Sequence, residues 1–382
     1  MASRKYVIPN MRDTSRNLVS ERPGPVVLES EPYHVHKKTD REFVVNALLS
    51  GSAALITDQY PTGLAVLAEL KKRVFGENRK SGKKRKTVRK PKDDFLSYRK
   101  NRAEFRHASN NLLVPVADNT IALKKSPDIG WLKKLYPDIS DFYLPFPQVQ
   151  GLNSSWQWYI KGIQYPVLEE KLYPWYGTYF PTRFDHLLLF DRWLKAYQGP
   201  QNTALDVGTG CGVLAFQLIQ NGFKDVCATD IHPNAILSVM ENAANLGVEN
   251  RLDVRLSDLF DGCDRKADLI VFNPPWLPAD GEIHGLDKAI YYEPDLFERF
   301  FERAGNYLNS NGKIILFFSN LGRKEGMQQG HPIEEELSQN SRYRKCGFMK
   351  EEVAGASRNT RRRDHRKREY VELWELEKSG PG

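Results

Sequence analysis

The residues best suited to chemistry form the segment Asn273-Pro274-Pro275-Trp276, which directly follows a short apolar run. Consecutive prolines fix the backbone, and because Pro274 carries no N–H, its carbonyl is free to face a ligand. The Asn273 side chain offers an amide oxygen, and the Trp276 indole offers a flat face for stacking. Two hydrogen-bond acceptors beside an aromatic plate suit the planar amino group of a nucleobase or a carboxamide. A rigid turn without chemistry is the alternative interpretation.

Three glycines at alternate positions, Gly208, Gly210 and Gly212, separate a second apolar run from a segment with helical spacing. A strand that turns on glycines into a helix brings bare backbone close to a ligand, because no Cβ keeps the ligand away. Taken alone, the pattern predicts either a nucleotide-type site or a purely structural turn.

Two acidic residues follow further predicted strands. Asp230 stands where a carboxylate can accept hydrogen bonds from both ribose hydroxyls of a nucleoside, although it could instead cap the next helix. Asp258 follows the next strand and could accept a hydrogen bond from an adenine amino group. Both residues therefore support a nucleoside-binding interpretation of the glycine turn.

The elements that must position these residues alternate between strand and helix, which predicts a mainly parallel sheet covered by helices on both faces. In such a sheet ligands bind outside the carboxyl ends of the strands, where all of these residues fall. Two late strands joined only by a loop predict a closing antiparallel hairpin. The predicted strands are Thr203–Val207, 226–229, Leu252–Leu256, Ala267–Phe272, 313–318, 348–353 and 369–376, and the predicted helices are 43–55, 64–75, 185–197, Val213–Gln220, 235–246 and 296–308.

Residues from about 180 to 376 resemble the class I S-adenosylmethionine-dependent methyltransferases, and within them the amino-methylating branch with an N-P-P-aromatic motif. That branch includes release-factor glutamine methyltransferases and ribosomal-RNA guanine-N2 and adenine-N6 methyltransferases. The glutamine-modifying relatives usually carry Tyr where this chain has Trp276. The matching segments are Phe180-Pro-Thr-Arg183, Asp206-Val-Gly-Thr-Gly-Cys-Gly212, Ala228-Thr-Asp-Ile231, Asn242-Ala-Ala-Asn-Leu-Gly247, Ser257-Asp-Leu-Phe260 and Asn273-Pro-Pro-Trp276.

The resemblance implies a Rossmann-like α/β fold, in which a seven-stranded, mostly parallel sheet ends in an antiparallel hairpin strand. It also implies S-adenosylmethionine as cofactor, with Asn273 and Pro274 holding the target nitrogen and Trp276 stacking on the target. The implied catalytic residues are Asn273, Pro274, Pro275 and Trp276, and the implied cofactor-binding residues are Phe180, Pro181, Asp206, Gly208, Thr209, Gly210, Asp230, Ile231, Asp258, Leu259 and Asn273.

The net charge of +8 over 382 residues is unevenly placed. Residues 71–106 hold 16 Lys and Arg against 4 Asp and Glu, and residues 357–368 hold seven against one. Phosphate-binding arms are one interpretation of these segments, and solvated loops are the other. The predicted nucleic-acid-binding residues are Lys83, Lys84, Arg85, Lys86, Arg361, Arg362, Arg363 and Arg366.

Composition and spacing suggest four regions. They are a flexible segment over 1–40, a basic, mainly helical or irregular accessory region for substrate binding over 41–150, a linker and cofactor-covering segment over 151–200, and the methyltransferase domain over 201–378. Four cysteines without close spacing favour a reduced intracellular chain over a disulfide framework or a metal site. No apolar run approaches the ~20 residues that a membrane span needs. We therefore expect no metal, no membrane span and a cytoplasmic location. In a eukaryotic source, residues 79–92 would be a nuclear-import signal.

These features favour an N-methyltransferase acting on adenine N6 or guanine N2 of rRNA or tRNA, with DNA as a further nucleic-acid substrate to test. A protein glutamine N5-methyltransferase is the alternative within the same class. A dehydrogenase is disfavoured because the glycine spacing is GxGxG rather than GxGxxG. A non-catalytic RNA-binding protein is disfavoured because every expected site residue is present.

Overall fold

The computed structural model describes residues 18–80, 91–283, 285–353 and 369–380. The strands are β1 (Tyr33–Val35), β2 (Ala54–Ile56), β3 (Leu112–Ala117), β4 (Thr120–Ile121), β5 (Phe142–Pro145), β6 (Thr203–Val207), β7 (Asp225–Asp230), β8 (Leu252–Leu256), β9 (Ala267–Phe272), β10 (Leu277–Pro278), β11 (Tyr291–Tyr292), β12 (Leu308–Ser319), β13 (Tyr343–Glu352) and β14 (Tyr370–Lys378). The helices are α1 (Arg41–Leu49), α2 (Tyr60–Lys80), α3 (Pro91–Asn110), α4 (Trp131–Leu135), α5 (Phe146–Lys161), α6 (Asp185–Ala196), α7 (Val213–Gln220), α8 (Pro233–Leu246), α9 (Leu296–Ala304), α10 (Leu321–Lys324) and α11 (Pro332–Gln339).

The described residues divide into two compact units. The first takes Arg22–Gln157, and the second takes residues 18–21 together with those from Trp158 onward. Within the described helices, none combines the length and the apolar character that a membrane crossing requires.

The first unit contains a five-stranded sheet that the sequence analysis did not predict. Its order is β1-β2-β3-β4, and β5 also pairs with β3. Strands β1 to β3 run parallel, and both β4 and β5 run antiparallel to β3. The helices predicted over 43–55 and 64–75 are present as α1 and α2. The first ends at Leu49 rather than at residue 55, because Gly51 takes a positive φ of 89° and residues 54–56 form β2.

The second unit is built on a seven-stranded sheet of order β13-β14-β12-β9-β6-β7-β8. The five strands from β12 to β8 in this order run parallel, β14 is antiparallel to β12, and β13 is antiparallel to β14. This order confirms the predicted α/β fold and its closing antiparallel hairpin.

Alternate residues of the central strands enter two different apolar cores. Along β9, Leu269 and Val271 pack into one buried cluster, whereas Ile270 and Phe272 pack into the other. Successive side chains of a strand point to opposite faces of a sheet, so the two clusters lie on opposite faces. Helices α6, α7 and α8 contribute to the first cluster and α9 and α11 to the second, so helices cover both faces. The central strands are therefore buried on both faces, and polar residues lie at their carboxyl ends.

The region after β11 differs most from the prediction for this unit. The helix expected over 296–308 ends at Ala304 and continues as a 3-10 turn over Gly305–Tyr307. Leu308 already belongs to β12, whose pairing with β9 shifts register between Leu308 and Lys313. An irregularity of this kind leaves no period in the sequence by which it could be found.

Candidate active site

The glycine turn between β6 and α7 forms one wall of a cavity in the second unit. Gly208, Gly210 and Gly212 have φ angles of 66°, 55° and 88°, a region that side chains with a Cβ avoid. A Cβ on Gly210 would lie 2.9 Å from the carbonyl oxygen of Tyr179, which also accepts a hydrogen bond from the Cys211 N–H over 3.0 Å. The turn therefore requires glycine, both for its backbone angles and for the close approach of the Tyr179 segment.

Asp206 supports this turn from within the protein. Its Oδ2 accepts hydrogen bonds from the Thr209 hydroxyl over 2.6 Å and from the Ala215 N–H over 3.1 Å. Burial raises the pKa of this fully buried carboxyl to about 7. Asp206 does not line the cavity. The structure thus gives Asp206 the role of holding the glycine turn through Oδ2, and the cofactor contact that the resemblance implies stays a prediction.

Asp230 lies in the cavity at the end of β7. Its Oδ2 accepts a hydrogen bond from the Gly210 N–H over 2.9 Å, and its Oδ1 accepts one from the His232 N–H over 2.8 Å. Burial raises the pKa of this carboxyl above its ordinary value of 3.8. The N-cap of α8 is His232, so the structure does not support the interpretation of Asp230 as the helix cap. The neighbouring Ile231 is 51% exposed and contributes an apolar surface to the cavity wall.

Asp258 and Leu259 line the cavity beyond β8. The Asp258 carboxylate accepts a hydrogen bond from Arg299 Nη1 over 2.6 Å, and Arg299 Nε lies 2.9 Å from a carboxylate oxygen of Asp295. An adenine amino group would therefore meet a carboxylate that an arginine already holds in place. The sequence analysis did not find Arg299.

The segment Asn273-Pro274-Pro275-Trp276 leaves β9 and lines the same cavity. The indole Nε1–H of Trp276 donates a hydrogen bond to Asn273 Oδ1 over 3.1 Å. Its ring meets the ring of His186 edge-on at a centroid distance of 5.9 Å. The first and last residues of the turn are thus tied together, so the Asn273 amide is held in one orientation.

The cavity has a volume of about 690 Å³, which lies within the range of small-molecule sites. The structure does not bring Phe180 into its wall, because that residue packs instead against the apolar core and near the Trp158 ring. The predicted site residues that do line the cavity are Pro181, Gly208, Thr209, Gly210, Asp230, Ile231, Asp258, Leu259, Asn273, Pro274, Pro275 and Trp276.

These residues fit an adenosyl cofactor. The glycine turn leaves backbone open to the cavity, Asp230 can accept from ribose hydroxyls, and the exposed Ile231 can lie against a base. No group of three or more His, Cys, Asp or Glu side chains is arranged to hold a metal ion in the part of the chain that the structure describes.

The predicted nucleic-acid-binding residues lie outside the described residues, so their role stays a prediction. They are Lys83, Lys84, Arg85, Lys86, Arg361, Arg362, Arg363 and Arg366.

Comparison with known proteins finds the methyltransferase small domain over residues 187–344. The chain is 41% identical over 129 residues to a release factor glutamine methyltransferase from Cereibacter sphaeroides, which covers 31% of this chain and 46% of that protein. It is 30% identical over 180 residues to a protein named as an N5-glutamine methyltransferase from Methanocaldococcus jannaschii, which covers 45% of this chain and 86% of that one. The chain spans about half the length of the release factor relatives that it matches.

Among solved structures, the ribosomal protein L11 methylase from Lactobacillus delbrueckii subsp. bulgaricus is 22% identical. It aligns over 57% of this chain and 91% of that chain, with a TM-score of 0.38.

Proposed function

The chain belongs to the class I S-adenosylmethionine-dependent methyltransferases, and we propose that it methylates the side-chain amide nitrogen of glutamine in a protein substrate. The two relatives described above carry names that specify glutamine. The charge distribution of the sequence favours an RNA base, with glutamine as the alternative. The relatives support that alternative better.

The structural observation that carries methyl transfer to an –NH₂ group is the Asn-Pro-Pro-Trp turn, which lines the same cavity as the glycine turn. Asn273 Oδ1 accepts one hydrogen bond from Trp276, and a carbonyl oxygen has two lone pairs, so one remains for a substrate N–H. The Pro274 carbonyl supplies a second acceptor. Two acceptors match the two N–H groups of a primary carboxamide.

The other residues of the cavity suit the cofactor. The backbone of Gly208 and Gly210 would hold the methionine portion of S-adenosylmethionine, Asp230 would accept from the ribose, and Asp258 would accept from the adenine. When bound, S-adenosylmethionine supplies a methyl group on a sulfonium, which is already activated toward a nucleophile. This chain need not supply a strong base.

The protein's own contribution is therefore orientation and exclusion of water. Asn273 and Pro274 fix both N–H groups of the amide, which directs the face of the nitrogen toward the methyl donor. Trp276 keeps the Asn273 oxygen in position and covers the target with an apolar surface. The proton released on methylation can leave after the transfer, because an N-protonated amide is a strong acid.

An exocyclic amine of RNA is the second candidate substrate. Residues 71–106 carry a charge balance of +12 and residues 357–368 a balance of +6, a distribution that favours a polyanionic partner. The same turn would accept the amino group of adenine or guanine, so the charge distribution and the relatives' names point to different substrates.

Transfer of labelled methyl from S-adenosylmethionine to separated cell fractions distinguishes the two. The fractions are the protein and the RNA of source cells that lack this chain. We expect label in protease-sensitive material, and N5-methylglutamine in its digest by mass spectrometry. Label that is removed by ribonuclease and recovered as a methylated nucleoside would contradict the glutamine proposal. The Asn273→Ala variant, assayed in parallel, provides the background.

A further inference from the structure

His186 is a buried polar residue of the cavity that the proposed mechanism does not use. It lies at the start of α6, lines the cavity and is 4% exposed. The contacts that the structure gives for its ring, among the described residues, are with aromatic side chains. Because the side chain is buried and lines the cavity, a ring nitrogen there can form a hydrogen bond with a ligand that enters the cavity.

The surroundings of His186 place it on the substrate side of the cavity. Its ring packs edge-on against Trp276 at 5.9 Å and against Phe317 at 6.0 Å. Trp276 in turn holds Asn273, so the imidazole stands beside the residues that would bind the target nitrogen.

The imidazole is uncharged at neutral pH. Burial lowers the pKa of His186 to about 4, because its contacts are aromatic and would leave a positive charge without solvation. A neutral imidazole offers one N–H donor and one acceptor nitrogen. A neutral donor has an advantage in this cavity, because it adds no second positive charge near a sulfonium.

A carboxamide needs such a donor. Asn273 Oδ1 and the Pro274 carbonyl can accept from its –NH₂ group, but neither of them can donate to its carbonyl oxygen. Without a donor, that oxygen would lose a hydrogen bond to water when the substrate enters the cavity.

We propose that His186 is a substrate-binding residue that donates a hydrogen bond to the carbonyl oxygen of the target carboxamide. This inference rests on the proposed function, since it takes glutamine as the substrate. The –NH₂ group on Asn273 and Pro274 and the oxygen on His186 would then fix the amide at both ends, so that its plane cannot rotate.

Three substitutions separate binding from packing. His186→Phe keeps an aromatic ring against Trp276 and Phe317 but removes both nitrogens. His186→Asn and His186→Gln lose the ring but keep an amide N–H donor, at the depth of Nδ1 and of Nε2 respectively. The labelled protein identified by the fractionation serves as substrate, with S-adenosylmethionine saturating. Calorimetric binding of S-adenosylmethionine confirms that each variant is folded.

We expect His186→Phe to lower kcat/KM by roughly 10- to 100-fold, the effect of one unpaired buried acceptor, with the affinity for S-adenosylmethionine unchanged. At least one of the Asn and Gln variants should exceed the Phe variant in kcat/KM, even though Phe packs better. A purely structural role gives the opposite order, because Phe would then be the best replacement.

Two results would overturn the role of His186 and leave the proposed function unaffected. One is a Phe variant as active as the wild type, and the other is Asn and Gln variants that both fall at or below Phe. If the wild-type protein instead labels RNA, the proposed function is contradicted. The hydrogen bond from His186 to a carboxamide oxygen is then contradicted as well.

Discussion

The indole Nε1–H of Trp276 donates a hydrogen bond to Asn273 Oδ1 over 3.1 Å, so the last residue of the Asn-Pro-Pro-Trp turn orients the first. Sequence reasoning gave Trp276 a stacking role only. The contact adds a second role, since it directs the amide oxygen that would accept the target N–H. An aromatic residue without a suitably placed donor could stack but could not hold this amide.

The Trp276→Phe variant tests that second role. Phenylalanine keeps an aromatic surface at the cavity but loses the donor, so the Asn273 amide can rotate. We expect kcat/KM to fall by about 5- to 30-fold, the equivalent of one hydrogen bond, while calorimetric binding of S-adenosylmethionine stays within about threefold. Trp158→Phe is the matched control, because Trp158 is 42% exposed and does not line the cavity. Equal activity of the two variants would show that the indole N–H has no role.

The glycine turn is tested by Gly210→Ala, with Gly247→Ala as control. Both glycines have a positive φ, 55° and 66°, so alanine strains the backbone at each by about 1–2 kcal/mol. Only at Gly210 would the new Cβ meet another group, the Tyr179 carbonyl oxygen at 2.9 Å, whereas nothing lies within 4 Å of it at Gly247.

Denaturant unfolding should therefore show both variants destabilised, and calorimetry should show weakened S-adenosylmethionine binding, by about tenfold or more, only for Gly210→Ala. Intact binding in that variant would place the cofactor elsewhere.

Asp206→Asn tests the support beneath the turn through its pH dependence. Burial raises the pKa of Asp206 from 3.8 to about 7, so this group contributes stability that is fully present below about pH 4. That contribution is lost as the pH rises through about 7. Asparagine keeps an acceptor oxygen for Thr209 and Ala215 but does not ionise.

The free energy of unfolding of the variant relative to the wild type should therefore increase between pH 4 and pH 8, by more than about 1 kcal/mol. The measurement is denaturant unfolding across this pH range. Parallel profiles for the two proteins would contradict a raised pKa at Asp206.

Much of the second unit could be predicted because its central strands are buried on both faces. The bounds of β6, α7 and β9 agree with the sequence analysis, since each is an apolar run that glycine, proline or polar residues interrupt. The bounds of β8 agree as well, because its residues alternate between apolar and polar types. The sheet of the first unit was missed for the opposite reason. Its strands are two to six residues long, and Ala54 pairs with Leu112, so neither period nor neighbouring sequence signals the pairing.

The site residues could likewise be predicted only in part. Residues that follow strands were found because the carboxyl ends of parallel strands meet at one edge of a sheet. His186 and Arg299 were missed because they come from helices, where a single polar residue at a helix face carries no signal of its own. The resemblance implies a cofactor contact for Asp206, and the structure adds a role that no sequence pattern signals, since its Oδ2 holds Thr209 and Ala215 beneath the turn.

The most direct test of this account is the Asn273→Ala variant, assayed for methyl transfer and for cofactor binding in the same preparation. Asn273 would hold the target nitrogen, whereas the glycine turn and Asp230 would hold the cofactor. Transfer of labelled methyl should therefore fall by at least about 100-fold, while the Kd for S-adenosylmethionine changes by less than about threefold. Transfer within tenfold of the wild type, or loss of cofactor binding together with transfer, would contradict that division of roles.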